Sequence, residues 1–325
     1  MTNASTAAPP RPSTLRIWVL AARPATLPAA LAGVAVGIGA ALAAGAAFRL
    51  DTALGCVAVG LLLQVLANFA NDLSDFRRGA DTPDRTGPVR VAAAGLVTER
   101  QLEAAIAIVI GIAGLVGLWL AVVGGPLLIG LGVLAVIAAL AYTGGPWPYG
   151  YRALGEVFVF VFFGLVSVIG TAYLQALRLD PVFVAAAVPP GALITAILVV
   201  NNLRDIPTDS AAGKRTLAVV LGARATKVEY ALLLAIAYVV PALLVALWLA
   251  GAGPSGRSLP LAPFMLLPLL TLPMARPLLR VVRGFGEPRE LNHVLKGTAR
   301  LSLVFSLLFA LGLAIAGAMA GGTTG

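Results

Sequence analysis

A first cluster of acidic side chains directly follows a run of apolar residues. The segment NDLSDFRRGADTPDRTGP begins at residue 71, immediately after ALGCVAVGLLLQVLANFA, and it contains Asp72, Asp75, Asp81 and Asp84. Carboxylates are costly beside hydrocarbon, so ionisable groups at the end of a membrane helix indicate a functional site. If the apolar helix continues, Asp72 and Asp75 are three residues apart and share a face.

A second cluster has the same character. The segment NNLRDIPTDSAAGKRT begins at residue 201, again after an apolar run. Asn201, Asp205 and Asp209 are spaced four residues apart, which places them on one face of a continuing helix. The alternative is a pair of solvated loops with ordinary charges. However, a helix C-terminus favours cations, so acidic residues there need another explanation.

The chemistry that fits two such clusters is the binding of a diphosphate through magnesium. Mg²⁺ prefers oxygen ligands and is typically held by one or two carboxylates together with substrate phosphates. Two clusters that face each other across a bundle could therefore hold a diphosphate between them. Arginine and lysine could bind the remaining phosphate oxygens. The cationic candidates beside the clusters are Arg77, Arg78, Arg204, Lys214 and Arg215.

The elements that must position these clusters are membrane helices. Of the 325 residues, 59% are hydrophobic and 11% are charged, which is typical of a polytopic membrane protein. The small residues in these spans favour close helix packing. We expect an all-α bundle around a central cavity, with a tail at 1–14, one domain at 15–320 that includes Asp-rich loops at 71–90 and 201–216, and a C-terminal tail at 321–325. The nine predicted spans are 17–47, 51–71, 100–123, 126–143, 154–177, 181–203, 225–251, 260–282 and 295–320.

The charge distribution predicts the orientation. The net charge of +9 does not require a nucleic-acid partner, because most Lys and Arg residues lie in the N-terminal tail and the loops on the same side of the membrane. Arg49, Arg178 and Arg257 fall in the alternate loops. By the positive-inside rule, the N-terminus and the acidic clusters face the cytoplasm and the C-terminus lies outside. The lipid bilayer, here a cell membrane, is the expected surrounding.

The two acidic clusters also suggest an internal repeat. Asn71-Asp72-Leu73-Ser74-Asp75 matches Asn201-Asn202-Leu203-Arg204-Asp205, and a basic segment that contains glycine follows each. The two motifs are four predicted spans apart. An even number of spans gives two halves of the same orientation, which is a weak parallel repeat. Chance similarity between polar segments is the alternative.

Several segments of the chain together resemble the UbiA-type membrane prenyltransferases. The two acidic segments resemble the two Asp-rich motifs of that family, and AARPATLPAA, YTGGPWPYGYRALGE and LNHVLKGTARL extend the match from about residue 15 to 320. Within the family, the chain is similar to the branch that prenylates dihydroxynaphthoate in menaquinone biosynthesis. Asp81 lies six residues beyond Asp75, past Gly79, and this spacing favours the naphthoate branch over the hydroxybenzoate branch.

The resemblance implies a magnesium-dependent aromatic polyprenyltransferase. Its partners would be a polyprenyl diphosphate and an aromatic acceptor, with ionisation to an allylic cation, attack by the ring and loss of the ring carboxylate. It implies that Asn71 and Asn201 bind substrate. It implies metal-binding roles for Asp72, Asp75, Asp81, Asp205 and Asp209. All of these except Asp81 are also expected to be catalytic. The choice between Asp81 and Asp84 stays open.

Other polar residues are weaker candidates for substrate binding. Arg23 lies near the start of the first span, where it either serves the site or snorkels to the interface. Tyr142, Tyr149 and Arg152 belong to a Gly- and Pro-rich segment that either lines the acceptor pocket or forms an interfacial belt. Lys296 lies in the last span and is a candidate for binding the acceptor carboxylate or the diphosphate.

Two alternatives to this interpretation stay open, one within the same family and one from another class of protein. Another aromatic acceptor, such as hydroxybenzoate or homogentisate, is compatible with the Asp motifs, because these motifs recognise the diphosphate and not the ring. A secondary transporter would also have repeats and intramembrane charges. Its ionisable groups should lie near the midplane on broken helices, whereas here the centres of the spans carry almost no charge.

Overall fold

The protein is an all-α bundle in the computed structural model, which describes residues 12–79, 89–253 and 259–318. Within these ranges the only isolated strand pairing is a bridge between Arg152 and Arg215. Short 3-10 turns precede α2, α6, α10 and α11. The helices are α1 (Thr14–Ala22), α2 (Leu27–Ala43), α3 (Leu50–Arg77), α4 (Glu99–Gly124), α5 (Leu127–Ala141), α6 (Gly155–Val159), α7 (Ser167–Ala176), α8 (Pro181–Ala211), α9 (Leu217–Leu249), α10 (Leu272–Gly284) and α11 (Leu291–Ala318).

Eight helical segments of the described chain are long and apolar enough to cross a membrane, so this is a multi-pass membrane protein. The predicted span that is not among these eight is 126–143. It forms α5, which has 15 residues. At 1.5 Å per residue its length is roughly 22 Å, short of the roughly 30 Å of a hydrocarbon core. The all-α class is confirmed, while the count of nine spans, the parallel repeat and the cytoplasmic N-terminus stay predictions.

The first predicted span is interrupted. Instead of one helix over 17–47, the chain forms α1 and α2 with a 3-10 turn at Pro24–Thr26 between them. Arg23 has φ 50° and ends α1 in the left-handed conformation. Pro24 explains the break, because a proline disfavours helical geometry in the residue before it and lacks the N–H that a continuing helix would need.

Among the described residues, the loops predicted at 71–90 and 201–216 begin later than expected. Asn71 to Arg77 form the last turns of α3, and Asn201 to Ala211 form the last turns of α8. Both helices therefore extend beyond the apolar runs that predicted spans ending at 71 and 203. Hydropathy detects the apolar part of a helix alone, whereas the backbone hydrogen bonds continue into its polar end.

Small residues let the central helices approach closely, as the composition predicted. A Cβ added at Gly39 of α2 would lie 2.6 Å from the carbonyl oxygen of Ala310 in α11. A Cβ at Gly164 would lie 2.7 Å from Cα of Gly191 in α8. These contacts leave no room for a larger side chain, so the backbones pack directly against each other.

The segment between α6 and α7 is a π-helix over Phe160–Val166. A π-helix changes the direction of the side chains that follow it and is frequent at functional sites. Phe162, Phe163 and Val166 from this segment line the central cavity. The π-helix therefore shapes the wall of the cavity that the sequence predicted.

Candidate active site

A cavity of about 430 Å³ lies inside the bundle. Its wall is mainly apolar, with Leu120, Leu128 and Leu174 at one part and polar side chains from both acidic motifs at another. Cys56 and Asp75 both line it, and their positions on α3 are roughly 28 Å apart at 1.5 Å per residue. The cavity therefore runs along much of the membrane thickness with its acidic groups near one end.

The first acidic motif contributes Asn71 and Asp75 to this cavity. The hydroxyl of Thr143 donates a hydrogen bond to Asn71 Oδ1 at 2.9 Å. Asp75 is buried and forms an ion pair with Arg90, whose Nη2 lies 2.8 Å from Asp75 Oδ2. The hydroxyl of Tyr151 donates to the other oxygen, Asp75 Oδ1, at 3.1 Å. Neighbours from two later segments thus hold this carboxylate in place.

The second motif contributes Asn201, Asp205 and Asp209 to the cavity. Arg204 donates to both oxygens of Asp205, from Nε at 2.7 Å and from Nη2 at 2.6 Å. It also donates to Asn201 Oδ1 and to Asn292 Oδ1, each at 2.9 Å. Arg204 is only 2% exposed and does not line the cavity. It therefore supports the carboxylate rather than reaching toward a substrate.

Asp209 and Lys214 form a looser pair at the same end of the cavity. Lys214 Nζ lies 3.6 Å from Asp209 Oδ1 and 5.3 Å from the centre of the Tyr151 ring. Asp209 Oδ2 is buried and has no hydrogen-bond partner among the described residues. Asp209 is also close enough to Asp75 and Asp205 for their charges to interact. The three carboxylates thus surround one volume.

Asp72 behaves differently from its neighbour Asp75. It is 1% exposed, does not line the cavity, and accepts hydrogen bonds from the backbone N–H groups of Val91 and Ala92 at 3.0 and 3.2 Å. The shared face that the spacing predicted for Asp72 and Asp75 therefore does not bring both carboxylates to the cavity. The metal-binding and catalytic roles of Asp72 stay predictions. Asp81 lies outside the described residues.

An aromatic row forms another wall of the cavity. Tyr149 stacks on Phe158 with ring centres 4.0 Å apart, and Tyr142 meets Tyr149 edge to face at 5.4 Å. Burial raises the pKa of both tyrosines, and the nearby Glu156 charge raises that of Tyr142 further. Both phenols therefore stay neutral at physiological pH. Tyr142 and Tyr149 line the cavity, and their role in an acceptor pocket stays a prediction.

A polar stripe on α3 continues from the acidic end into the apolar part of the cavity. Gln64 and Asn68 line the cavity and both donate to Thr26 Oγ1, at 3.2 and 3.0 Å. Arg23 also lines the cavity beside them. Positions 64, 68, 71 and 75 recur at helical spacing, so this stripe was visible in the sequence as a polar face inside an apolar span.

Several of the predicted cationic residues lie away from the cavity lining. Arg77 is exposed and pairs with Glu99 and Glu103 of α4. Arg78 donates to the carbonyl oxygens of Thr143 and Gly145. The remaining three are exposed and do not line the cavity; they are Arg152, Arg215 and Lys296.

Several lining or supporting residues were not among the sequence-based candidates, including Gln64, Asn68 and Arg90. Arg90 was counted only among the cytoplasmic charges, although it follows the motif within the same basic segment. Tyr151 belongs to the same aromatic segment as Tyr142 and Tyr149, for which the sequence suggested an acceptor pocket, but its hydrogen bond to Asp75 was not predicted. The contact of Arg90 and Tyr151 with Asp75 depends on tertiary packing and carries no local sequence signal.

The oxygen-rich end of the cavity fits a magnesium ion that a diphosphate helps to hold. Its donors are carboxylates and amides, which are the ligands that Mg²⁺ prefers. Among the described residues, no three acidic, histidine or cysteine side chains lie close enough to bind an ion by themselves. The unpartnered oxygen of Asp209 is available for a ligand, and the remaining ligands would be phosphate oxygens and water.

Fold and site together define an integral-membrane enzyme with an acidic cap over an apolar cavity. The chain belongs to the UbiA prenyltransferase family, whose model matches residues 30–283. The family membership predicted from the sequence motifs is thereby confirmed.

Curated relatives carry a more specific name. The chain is 44% identical over 290 residues to a 1,4-dihydroxy-2-naphthoate octaprenyltransferase of Mycobacterium tuberculosis, which covers 89% of this chain and 94% of the relative. It is 43% identical over 216 residues to the Escherichia coli protein of the same name, which covers 65% of this chain and 70% of the relative.

Solved structures share the fold. A UbiA homolog from Archaeoglobus fulgidus, bound to GPP and Mg²⁺, matches with a TM-score of 0.64 at 15% identity, over 92% of this chain and 99% of that one. The apo structure of a UbiA homolog from Aeropyrum pernix matches with a TM-score of 0.62 at 18% identity, over 88% and 97%.

Proposed function

We propose that this protein transfers a polyprenyl group from its diphosphate to 1,4-dihydroxy-2-naphthoate. The ring carboxylate leaves as CO₂, diphosphate is released, and the product is demethylmenaquinol, the reduced form of demethylmenaquinone in menaquinone biosynthesis. The observation that carries the proposal is the meeting of Asp75, Asp205 and Asp209 at one end of a long apolar cavity. The 44% identity to the Mycobacterium tuberculosis naphthoate octaprenyltransferase, over 94% of that relative, supports this acceptor.

The acidic end of the cavity binds the diphosphate in this proposal. The unpartnered oxygen of Asp209 would bind Mg²⁺ together with phosphate oxygens and water. Asn71, Asn201, Asp75 and Asp205 line the same end of the cavity as further oxygen donors. When bound, the ion would neutralise negative charge on the departing diphosphate. Arg90 and Lys214 line the same end and provide cations for phosphate oxygens. Arg204 holds Asp205 and Asn201 in place from behind.

The apolar part of the cavity binds the isoprenoid chain and excludes water. An allylic cation must be kept from water until the ring attacks it, and an apolar wall achieves this. The aromatic row at Tyr142, Tyr149 and Phe158 presents π faces, which stabilise a nearby cation. Because both phenols stay protonated, they do not compete with the acceptor as nucleophiles.

The polar stripe at Gln64 and Asn68 on α3, together with Arg23 at the end of α1, is the proposed acceptor side. Arg23 supplies a positive charge for the acceptor carboxylate, and the amides of Gln64 and Asn68 supply hydrogen bonds for ring hydroxyls. The stripe lies next to Asn71 on the same face of α3, so the ring and the diphosphate would be neighbours. By the charge distribution, the acidic end faces the cytoplasm in a cell membrane.

The test is an assay of the purified protein in lipid with Mg²⁺, a prenyl diphosphate and a panel of aromatic acids. The expected product is prenylated naphthoquinol from 1,4-dihydroxy-2-naphthoate, with little product from 4-hydroxybenzoate or homogentisate. Product from one of these other acids alone would overturn the acceptor assignment. No prenylated product from any acid, with prenyl donors of several lengths, would overturn the proposed activity.

A further inference from the structure

Asp72 binds a backbone turn rather than the cavity. Its Oδ2 accepts the N–H of Val91 at 3.0 Å and its Oδ1 accepts the N–H of Ala92 at 3.2 Å. Val91 and Ala92 are themselves buried in a hydrophobic cluster with Phe69 and Leu73 of α3. Both oxygens of this carboxylate therefore accept backbone hydrogen bonds from the following segment, and the charge of Arg23 also acts on it.

The bound segment is a single closed turn. The N–H of Ala94 donates to the carbonyl of Arg90 at 3.0 Å, and the N–H of Leu96 donates to that of Val91 at 2.9 Å. Gly95 has φ 64°, the left-handed conformation that commonly ends a helical turn. The first N–H groups of such a turn have no partner within it. Asp72 supplies that partner for two of them.

The first residue of this turn is Arg90, whose side chain enters the cavity. Its guanidinium reaches Asp75 at 2.8 Å, and both side chains are almost fully buried. One carboxylate of α3 therefore fixes the backbone of the turn, and the next carboxylate three residues later receives the arginine that the turn carries. The backbone hydrogen bonds to Asp72 therefore fix the position of the Arg90 main chain, from which its side chain extends to Asp75.

We propose that Asp72 is a positioning residue that caps the turn from Arg90 to Leu96 and so holds Arg90 at the diphosphate end of the cavity. The proposal rests on the proposed function for the role of Arg90, which is to contact phosphate oxygens while paired with Asp75. It differs from the assignment of Asp72 as a metal ligand, because a ligand would act on Mg²⁺ directly and independently of Arg90.

A double-mutant cycle tests this dependence in the full-length protein in lipid nanodiscs. We expect Asp72→Asn and Arg90→Ala each to lower kcat/KM for the prenyl diphosphate by about tenfold to a hundredfold. The double variant should lose no more than Arg90→Ala alone, because Asp72 acts through Arg90. The Mg²⁺ concentration for half-maximal rate should stay unchanged in Asp72→Asn. The proposal would be overturned if the loss of kcat/KM in the double variant equalled the product of the two single losses. It would also be overturned if Asp72→Asn strongly raised the Mg²⁺ concentration for half-maximal rate.

Hydrogen exchange without substrate provides a second, independent measurement. Asp72→Asn should speed amide exchange in residues 89–97, whereas Arg90→Ala should leave the amides of Val91 and Ala92 protected. The control is Asp51→Asn, at the exposed opposite end of α3, where the carboxylate pairs with Arg49. Unchanged exchange in Asp72→Asn would contradict the capping role. If Asp72→Asn does not fold, Asp72→Glu replaces it, with the same expected loss of protection from its displaced carboxylate.

The two measurements separate the two proposals. A wild-type protein that prenylates no aromatic acid, but whose turn loses protection in Asp72→Asn, would leave the capping intact and refute the proposed function. An active wild-type protein with additive losses would retain the function and refute the positioning role.

Discussion

The acidic ends of α3 and α8 present nearly the same order of side chains but obtain their cations in different ways. Asp75 on α3 pairs with Arg90, which a separate turn carries to it. Asp205 on α8 pairs with Arg204, its neighbour in the same helix. The ion pair of the second motif therefore lies within one helix, whereas that of the first motif depends on a second element that must dock correctly.

The residue after the first asparagine of each motif, Asp72 or Asn202, also has a different kind of partner in the two motifs. Asp72 accepts two backbone N–H groups of the docked turn. Asn202 instead donates from Nδ2 to Glu156 Oε1 of α6 at 2.8 Å. Both side chains are buried and outside the cavity lining. In each motif this side chain links the helix to a neighbouring element. The neighbour of α3 offers N–H donors and needs an acceptor, whereas the neighbour of α8 offers a carboxylate and needs a donor.

The largest expected effect concerns the stability of the self-contained pair. Asp205→Ala removes the carboxylate that receives two hydrogen bonds from the buried Arg204. Breaking a buried ion pair from one side costs about 3–5 kcal/mol. Asp75→Ala should cost less, because Arg90 borders the cavity. Thermal unfolding in detergent measures both variants. Equal losses would contradict the distinction, and Asp205→Leu combined with Arg204→Leu should recover most of the stability.

The next prediction concerns Asp209. The equivalent position in the first motif is Gly79, two residues beyond the end of α3. Asp209→Asn should lower kcat by about a hundredfold, because it weakens electrostatic stabilisation at the leaving diphosphate. It should also raise the Mg²⁺ concentration for half-maximal rate. A magnesium titration of the rate measures both effects. A normal rate at every Mg²⁺ concentration would remove Asp209 from the site.

A smaller effect is expected at Tyr151, whose hydroxyl donates a hydrogen bond to Asp75. Tyr151→Phe removes the hydrogen bond to Asp75 and should lower kcat/KM about threefold to tenfold. Burial and the charge of Asp75 raise the pKa of Tyr151, so the phenol stays a donor at neutral and mildly alkaline pH. The ratio of variant to wild-type activity should therefore stay constant from about pH 6 to about pH 9. A ratio that approaches one within this range would show that the phenol ionises there.

The smallest effect is expected at Arg77, which the sequence placed beside the diphosphate and the structure places against α4. Arg77→Gln should leave KM for the prenyl diphosphate within about twofold and cost less than about 1 kcal/mol of stability, as for exposed ion pairs. Lys214→Gln is the matched comparison, since Lys214 lines the cavity, and it should raise that KM about tenfold. Steady-state kinetics on both variants compares the effect of Arg77 on KM with that of Lys214. A large change in Arg77→Gln would restore its predicted role.

Much of this architecture was predictable from local sequence patterns. Apolar runs predicted the membrane helices to within a few residues at most ends, because hydropathy is a property of each segment. The acidic motifs predicted the polar end of the cavity, since carboxylates at span ends are costly without a function. The polar stripe at Gln64 and Asn68 was also present in the sequence as a helical repeat.

The sequence by itself determined that this is a helical membrane protein with two acidic motifs of a recognisable family. Only the tertiary structure decided which charged residues face the cavity. Asp72 turns to a backbone segment, Arg204 is buried behind Asp205, and Arg77 pairs with α4. Spacing gives the direction of a side chain around its own helix, but its partner depends on which other element packs there, and that contact forms only in the folded bundle.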